Sequence, residues 1–348
     1  MWLFTGRHEY EPVLVAELAR MGAAARTLLP GLVAAELGED PPERWDPVYA
    51  LQVLPQVGEV RGESIRQLAQ AVADYCVTRW PAGAGRFAVH VLVPGQLKGQ
   101  PNPQMRRRAD LLQAALPKML INQLPAPPSR SAAVDRLVQV LLLDPEVAYV
   151  SVAPLRPVGG AMCWPSHLPA GLADPADEPT APSSAFRKLR EALACMAEAP
   201  GPGSQTVDLG ASPGGWSHVL RQLGAEVTAV DRAELAPALM KDKHIQFIAA
   251  DAFAWRPPRP VDWIVSDIIA YPERVPDLLQ VWCGGALADR LVIQMKFKGW
   301  PDFDLIGAAL RVCSTAGYFA RAKHFFNDKH EITLMAGRQV ATMPAEAG

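Results

Sequence analysis

The 348-residue chain has no CxxC pair, no apolar run of membrane-spanning length and no strong charge of either sign. Its five cysteines, Cys76, Cys163, Cys195, Cys283 and Cys313, lie at least 30 residues apart, a spacing that excludes a zinc module and a dithiol redox motif. No stretch reaches the ~18 uninterrupted apolar residues of a spanning helix. Charge also enters the opening MWLFTGRHEY before a signal-peptide core could form. The expectation is a soluble, cytoplasmic protein with reduced thiols and no membrane partner. Charged residues make up only 20% and the formal net charge is −2, so the whole molecule is not an indiscriminate binder of polyanions. Any affinity for nucleic acid must be local.

What is present starts with apolar residues, 49% of the chain, enough for sizeable cores in two or three domains of ~150 residues. Charge is unevenly placed. Residues 1–60 carry Arg7, Arg20, Arg26 and Arg44 against nine acids, whereas residues 61–160 carry twelve basic side chains against six acidic ones. That basic middle includes Arg106, Arg107 and Arg108 in a row, either a polyanion track or the solvated face of a helix.

Proline and glycine are densest between Pro165 and Pro182, where neither helical nor strand periodicity survives, and the main boundary is expected there. Before it, the pattern predicts helices over Glu11–Arg26, Glu63–Arg79 and Gln104–Leu120. Strands are predicted near Tyr49–Val57 and Phe87–Val93, with a strand pair Leu137–Leu143 and Val147–Leu155 about Asp144-Pro145-Glu146. This half reads as α+β. After the boundary, helix and strand alternate. Strands are expected at Thr206–Leu209, Glu226–Val230, Ile245–Ala249, Val261–Ser266 and Arg290–Met295, and a closing hairpin at Tyr318–Phe325 and Glu331–Ala336. Helices are expected at Ser184–Met196, Gly214–Leu223, Glu273–Cys283 and Asp304–Thr315. The fold class is therefore α/β, a doubly wound sheet with an antiparallel C-terminal hairpin.

Ligands of such sheets bind beyond the carboxyl ends of the strands. The first strand runs into Asp208-Leu-Gly210-Ala-Ser212-Pro213-Gly214-Gly215-Trp216, where glycines let backbone approach a ligand at a helix start. Asp231 ends the second strand, 21 residues beyond Gly210, where a carboxylate can hold two ribose hydroxyls. Asp251 and Asp267 end the third and fourth. A nicotinamide site would need G-x-G-x-x-G, which this turn lacks. The stretch Gly210-Ala-Ser212-Pro213-Gly214 does match the G-x-S-x-G elbow of hydrolases, with Asp267 and His330 following in order. However, the oxyanion hole needs the N–H of the residue after serine, and proline has none. The remaining reading is an S-adenosylmethionine-dependent methyltransferase. An amino-methyltransferase is less well served, since Asp267-Ile-Ile-Ala-Tyr271-Pro272 lacks the Asn/Asp-Pro-Pro-aromatic element that cups a planar amine.

The segment Asp208–Trp216 resembles the cofactor loop of the FtsJ-type RNA ribose 2′-O-methyltransferases. The likeness extends to Lys188 in Phe186-Arg-Lys188-Leu189, Asp267 in Val265-Ser-Asp267, Lys296 in Gln294-Met-Lys296 and Glu331 in Lys329-His-Glu331-Ile-Thr333. These positions match that family's Lys-Asp-Lys-Glu tetrad, and the resemblance spans about Pro182–Arg338. The N-terminal arrangement, the opening Trp2-Leu-Phe-Thr-Gly-Arg7 and the linker Pro175-Ala-Asp-Glu-Pro179 are similar to the RlmM-type 23S ribosomal RNA cytidine 2′-O-methyltransferases. The resemblance implies four parts: a small α+β segment over 1–80, a THUMP-like RNA-binding region over 81–164, a Pro-rich linker over 165–182, and a Rossmann-like methyltransferase domain over 183–348. It departs at Ala185, where the family places a small hydroxyl residue, leaving Ser183 or Ser184 to supply one.

The implied roles are as follows. Gly210, Ser212, Pro213, Gly214 and Gly215 surround the methionine end of S-adenosylmethionine, Asp231 holds its ribose and Asp251 its adenine, with Asp267 also beside the cofactor. Trp216 packs either on the cofactor or in the core. Lys296 accepts the proton of the attacking 2′-hydroxyl, Asp267 orients it, and Lys188 and Glu331 place the ribose of the RNA. A lysine is a poor base at its free pKa of ~10.4, and burial beside a second cation would lower it. The two carboxylates keep the ammonium groups compensated. No metal is implied. The reading of another class is a non-catalytic RNA-binding or ribosome assembly factor that keeps a methyltransferase fold.

Overall fold

The computed structural model describes residues 1–37, 46–81, 85–93, 102–125, 134–173 and 175–339. Three of the basic residues, Arg44, Lys98 and Arg130, lie outside them. The chain divides into two compact units, Met1–Pro157 with Cys163–Leu172, and Val158–Met162 with the residues from Ala173 onward.

The first unit opens with β1 (Trp2–Thr5), α1 (Glu11–Arg20), β2 (Ala24–Leu29), β3 (Leu32–Glu36) and β4 (Gln52–Leu54). These strands make a sheet in the order β2-β3-β1-β4. The helix expected to reach Arg26 stops at Arg20 because Gly22, at φ 93°, turns the chain out of the helix and Ala24–Leu29 pairs with β3 instead.

A second sheet follows, built from β5 (Gly58–Arg61), α2 (Ile65–Arg79), β6 (Arg86–Leu92), α3 (Pro103–Gln123), β7 (Val134–Leu142) and β8 (Val147–Pro154), in strand order β5-β8-β7-β6. Helix α2 starts in a capping box between Ser64 and Gln67. Its Leu68, Val72 and Cys76 bury against Leu112, Leu116 and Leu120 of α3 and Val138 and Val140 of the sheet. The division expected at residue 81 thus falls inside a layer, because β5 and α2 pack with β6–β8. On α3, Arg106 and Arg107 face solvent, whereas the Arg108 guanidinium donates to the carbonyl of Glu63 at 3.0 Å.

A short hairpin, β9 (Arg156–Gly159) and β10 (Met162–Trp164), comes next. The first part of the Pro-rich segment is folded onto the first unit. Gln52 Nε2 donates to the Ser166 carbonyl at 2.8 Å, and Gln52 Oε1 accepts from Ser166 N at 2.9 Å.

The second unit contains α4 (Phe186–Met196), β11 (Gln205–Leu209), α5 (Gly215–Gln222), β12 (Glu226–Asp231), α6 (Pro237–Met240), β13 (Ile245–Ala249), β14 (Val261–Ser266), α7 (Arg274–Leu279), β15 (Ala288–Lys296), α8 (Phe303–Thr315), β16 (Tyr318–Lys323) and β17 (Glu331–Arg338). Helix α7 runs on through one π turn, Gln280–Gly284. The seven strands lie in the order β13-β12-β11-β14-β15-β17-β16. Strands β11 to β15 are parallel, and β17 alone runs antiparallel, inserted between β15 and β16. The central strands read as near-continuous apolar runs because both faces are covered. In β15, Leu291, Val292, Ile293 and Met295 are fully buried. The chain reverses its direction of winding between β11 and β14, the crevice where doubly wound sheets bind ligands. Among the described residues no helix is long and apolar enough to cross a membrane.

Candidate active site

A cavity of about 510 Å³ opens at the carboxyl ends of β11, β12 and β14. Its wall takes in Gly210, Ser212, Pro213, Gly215, Asp231, Asp251, Asp267 and Lys296, eight of the residues singled out from the sequence. Gly214 is not on that wall. It sits at φ 110° as the N-cap of α5, and a Cβ there would come 2.2 Å from Leu239 Cδ1, so backbone and packing already require glycine at this position. Ser183 and Ala185 do line the cavity, and a Cβ on Gly215 would meet Ser183 Oγ at 2.4 Å. Of the two serines able to supply the missing hydroxyl, the cavity therefore takes in Ser183.

Trp216 belongs to the core and also borders the cavity. It is buried and on the cavity wall, and its indole N–H donates to the Ala185 carbonyl at 2.8 Å, tying the start of α5 to the start of α4. Asp231 accepts from Ser212 N at 3.0 Å and Ala233 N at 2.9 Å, which fixes its carboxylate at the end of β12. Asp251 accepts from Phe253 N at 2.8 Å and pairs with Arg232. That backbone bond and then Arg232 hold its carboxyl below the usual range. Ser212 Oγ donates to the Glu234 carbonyl at 2.9 Å, and Asp267 is held by lysines. The two residues that a hydrolase would need in one relay are thus engaged elsewhere.

Lys188, Asp267, Lys296 and Glu331 close into a ring. Lys188 lies in the first turn of α4, Asp267 just past β14, Lys296 at the end of β15 and Glu331 at the start of β17. Lys188 Nζ is 3.3 Å from Asp267 Oδ2 and 2.5 Å from Glu331 Oε1. Lys296 Nζ is 2.8 Å from Asp267 Oδ1, 2.8 Å from the Asp267 carbonyl and 3.8 Å from Glu331 Oε2. Asp267 and Lys296 face the cavity, while Lys188 and Glu331 stand behind them. Burial alone would lower the Lys188 pKa, but Asp267 and Glu331 outweigh it and the ammonium ends up above its ordinary value. The expected lowering by a second cation does not operate at Lys188, because two carboxylates lie closer to it than any cation effect can offset.

Two buried carboxyls have no role assigned from the sequence. Asp208, at the end of β11, is on the cavity wall and accepts from Ser217 Oγ at 2.7 Å. Burial, reinforced by Asp267 and Asp231, pushes it up to about 7. Asp328, whose sequence neighbours mark only a turn, is fully buried behind the ring and accepts from Phe325 N at 2.9 Å and Thr333 Oγ1 at 3.1 Å. Burial, with Glu191 and Glu331 nearby, raises it well above the usual carboxylate range. No single-residue pattern announces a buried aspartate. The outer wall adds Arg274, whose guanidinium lies 3.5 Å from the Phe253 ring centroid.

Residues 182–316 match the FtsJ-like methyltransferase family. Over 353 aligned residues the chain is 30% identical to ribosomal RNA large subunit methyltransferase M of Halorhodospira halophila, covering 98% of this chain and 97% of that protein. The protein of the same name from Marinobacter nauticus is 37% identical over 227 residues, 60% of each chain. That from Alkalilimnicola ehrlichii is 36% identical over 199 residues, 55% of this chain and 54% of the relative.

Proposed function

Because the chain belongs to the ribosomal RNA large subunit methyltransferase M family, we propose that it methylates the 2′-hydroxyl of a ribose in 23S ribosomal RNA, that of a cytidine, in the cytoplasm. The methyl donor in this reading is S-adenosylmethionine, and three features of the cavity suit it. The volume, about 510 Å³, is within the range of small-molecule sites. Asp231 offers a fixed carboxylate with lone pairs beyond the two already engaged by Ser212 N and Ala233 N. Gly210 and Gly215 leave the wall without side chains where it meets the start of α5. In this reading Asp231 holds the donor's ribose, Asp251 faces its adenine, and Gly210, Ser212, Pro213, Gly215 and Ser183 border its methionine end. When bound, the donor supplies an electrophilic sulfonium methyl.

The observation that carries the proposal is the ring of Lys188, Asp267, Lys296 and Glu331 at the cavity rim. A ribose hydroxyl is a very weak acid, so its oxygen attacks well only if a base takes the proton. Lys296 is the ring's only cation on the cavity wall and is assigned that role. Asp267 fixes its geometry. Lys188, held charged by Asp267 and Glu331 behind the wall, helps with Glu331 to place the ribose by bracing Asp267, and does not exchange its proton. In the first unit, the THUMP-like region expected over 81–164, widened to include β5 and α2, is proposed to hold the RNA.

The test is incubation of the protein with methyl-labelled S-adenosylmethionine and unmodified 23S ribosomal RNA, followed by alkaline hydrolysis. A 2′-O-methyl group leaves a labelled dinucleotide that resists cleavage. Label in mononucleotides, or none, would overturn the reading. RNA binding without transfer would favour the non-catalytic assembly factor.

A further inference from the structure

The RNA strand itself needs a hold at the cavity, and the mouth of the cavity carries an unusual surface. Ile269 is 91% exposed, and Tyr271 and Trp300 are each 63% exposed. Among the described residues these are the two exposed large aromatics, and neither is placed at random. Tyr271 lies on the segment leaving β14, two residues beyond Ile269, which lines the cavity. Trp300 lies on the segment leaving β15, four residues beyond Lys296, which lines it too. The strands β14 and β15 are parallel neighbours, so both segments emerge side by side next to the ring.

A cation joins them. Lys298 Nζ lies 4.6 Å from the Tyr271 ring centroid, a cation–π contact that braces one segment against the other. Between Lys298 and Trp300, Gly299 sits at φ 130° with open space around it, a backbone conformation that other residues rarely adopt. The nearby acid Asp302 is occupied as the cap of α8, accepting from Asp304 N at 3.0 Å and Leu305 N at 2.9 Å.

We propose that Tyr271, Lys298 and Trp300 form a platform on which unpaired bases flanking the target ribose stack, with Lys298 also meeting a backbone phosphate. The inference rests on the RNA methyltransferase reading above. Three arguments support it: continuity of the patch with the cavity wall, a pairing of exposed aromatics with a lysine, and the chemistry of single-stranded RNA. Unstacked bases offer π-faces to aromatic side chains whatever their sequence, while the backbone requires cations. An unpaired nucleotide at Lys296 leaves its neighbours with bases to place.

The experiment uses the full chain, a fluorescein-labelled twelve-cytidine oligoribonucleotide read by anisotropy, and methyl transfer to 23S ribosomal RNA. Trp300→Ala and Tyr271→Ala should each weaken oligonucleotide binding by about 5- to 150-fold, the range for loss of one stacked base. Trp300→Phe should stay near wild type and Trp300→Leu should bind as poorly as the alanine variant, because an apolar group without a π-face cannot stack. S-adenosylmethionine affinity, measured by calorimetry, should be unchanged in all of them. The KM for ribosomal RNA should rise with little change in kcat. Leucine performing like tryptophan, or alanine variants with unchanged RNA affinity and KM, would overturn the platform while leaving the methyltransferase reading intact. A wild-type protein that transfers no methyl to RNA would overturn both. Alanine variants that turn a sedimenting dimer into monomer at constant RNA affinity would overturn it in favour of a self-association surface.

Discussion

Lys296 and Glu331 are registered partners on β15 and β17, yet each charged group finds its closer counter-ion elsewhere. Lys296 reaches Asp267 at 2.8 Å and Glu331 only at 3.8 Å, whereas Glu331 approaches Lys188 at 2.5 Å. The ring is thus two unequal pairs. One lysine is locked by two carboxylates behind the wall, and the other rests on Asp267 at the cavity. In the proposed mechanism that asymmetry divides the labour: Lys188 stays an ammonium, and Lys296, on the cavity wall, is the one assigned the substrate proton.

Lys296→Ala should therefore remove ~10²–10⁴-fold of the methyl-transfer rate while cofactor affinity stays near wild type. Lys296→Arg should not restore it, since a guanidinium stays protonated at any workable pH. Single-turnover methylation of ribosomal RNA checks both, and substantial activity in the arginine variant would assign the base elsewhere.

Asp231→Ala should weaken S-adenosylmethionine binding roughly ten- to a hundredfold, the worth of a charge-assisted hydrogen bond. Because the carboxylate also anchors Ser212 N and Ala233 N, the alanine variant should lose some thermal stability. Asp231→Asn, which keeps an acceptor, should separate the loss of charge from the loss of the loop anchor. Calorimetry with unchanged affinity in both would remove Asp231 from the site.

For Asp208 the expected outcome is a pH-dependent gain on neutralisation. Its folded pKa, raised to about 7, exceeds the unfolded carboxyl value of ~3.9. The stability from keeping it neutral is therefore complete below about pH 4 and lost as the pH climbs through about 7. Asp208→Asn can still accept from Ser217 and does not ionise. Its melting temperature should overtake wild type between about pH 5 and pH 8, by at most about 4 kcal/mol in stability. A difference that ignores pH would show that Asp208 does not titrate in that window.

Replacing Arg106 and Arg107 with alanine should make the log–log salt dependence of RNA binding shallower by about 0.7 for each phosphate no longer neutralised on single strands. Arg108→Ala should act differently. Its guanidinium bonds the Glu63 carbonyl, so the cost should appear as roughly 1 kcal/mol of stability and not as a change in slope. An unaltered slope in the double variant would return the arginine run to the status of a solvated helix face.

The legible parts of the sequence are those with a pattern longer than one residue. The central strands stand out because parallel strands covered on both faces carry long apolar runs, as in β15, and the strand ends then locate Asp231, Asp251, Asp267 and Lys296. By contrast, β1 has only four residues and β2 is an edge strand with mostly exposed side chains, so neither offers the alternation by which a strand is read. Gly214 looks like its neighbours in the loop and differs only in what its missing Cβ would strike. The match to the FtsJ-like family ends at residue 316, short of Glu331, so the fourth member of the ring is legible only in the short segment around it.

The placement of β17 divides the site along the chain. Every residue on the cavity wall lies between Ser183 and Lys296, but Glu331 arrives on a strand that must slide between β15 and β16, and β16 has no other strand to pair with. The cavity wall and the carboxylate nearest to Lys188 therefore come from separate stretches of chain. Under the proposed mechanism, a chain shortened before β17 would keep every residue of the donor cavity and lack the fourth member of the ring.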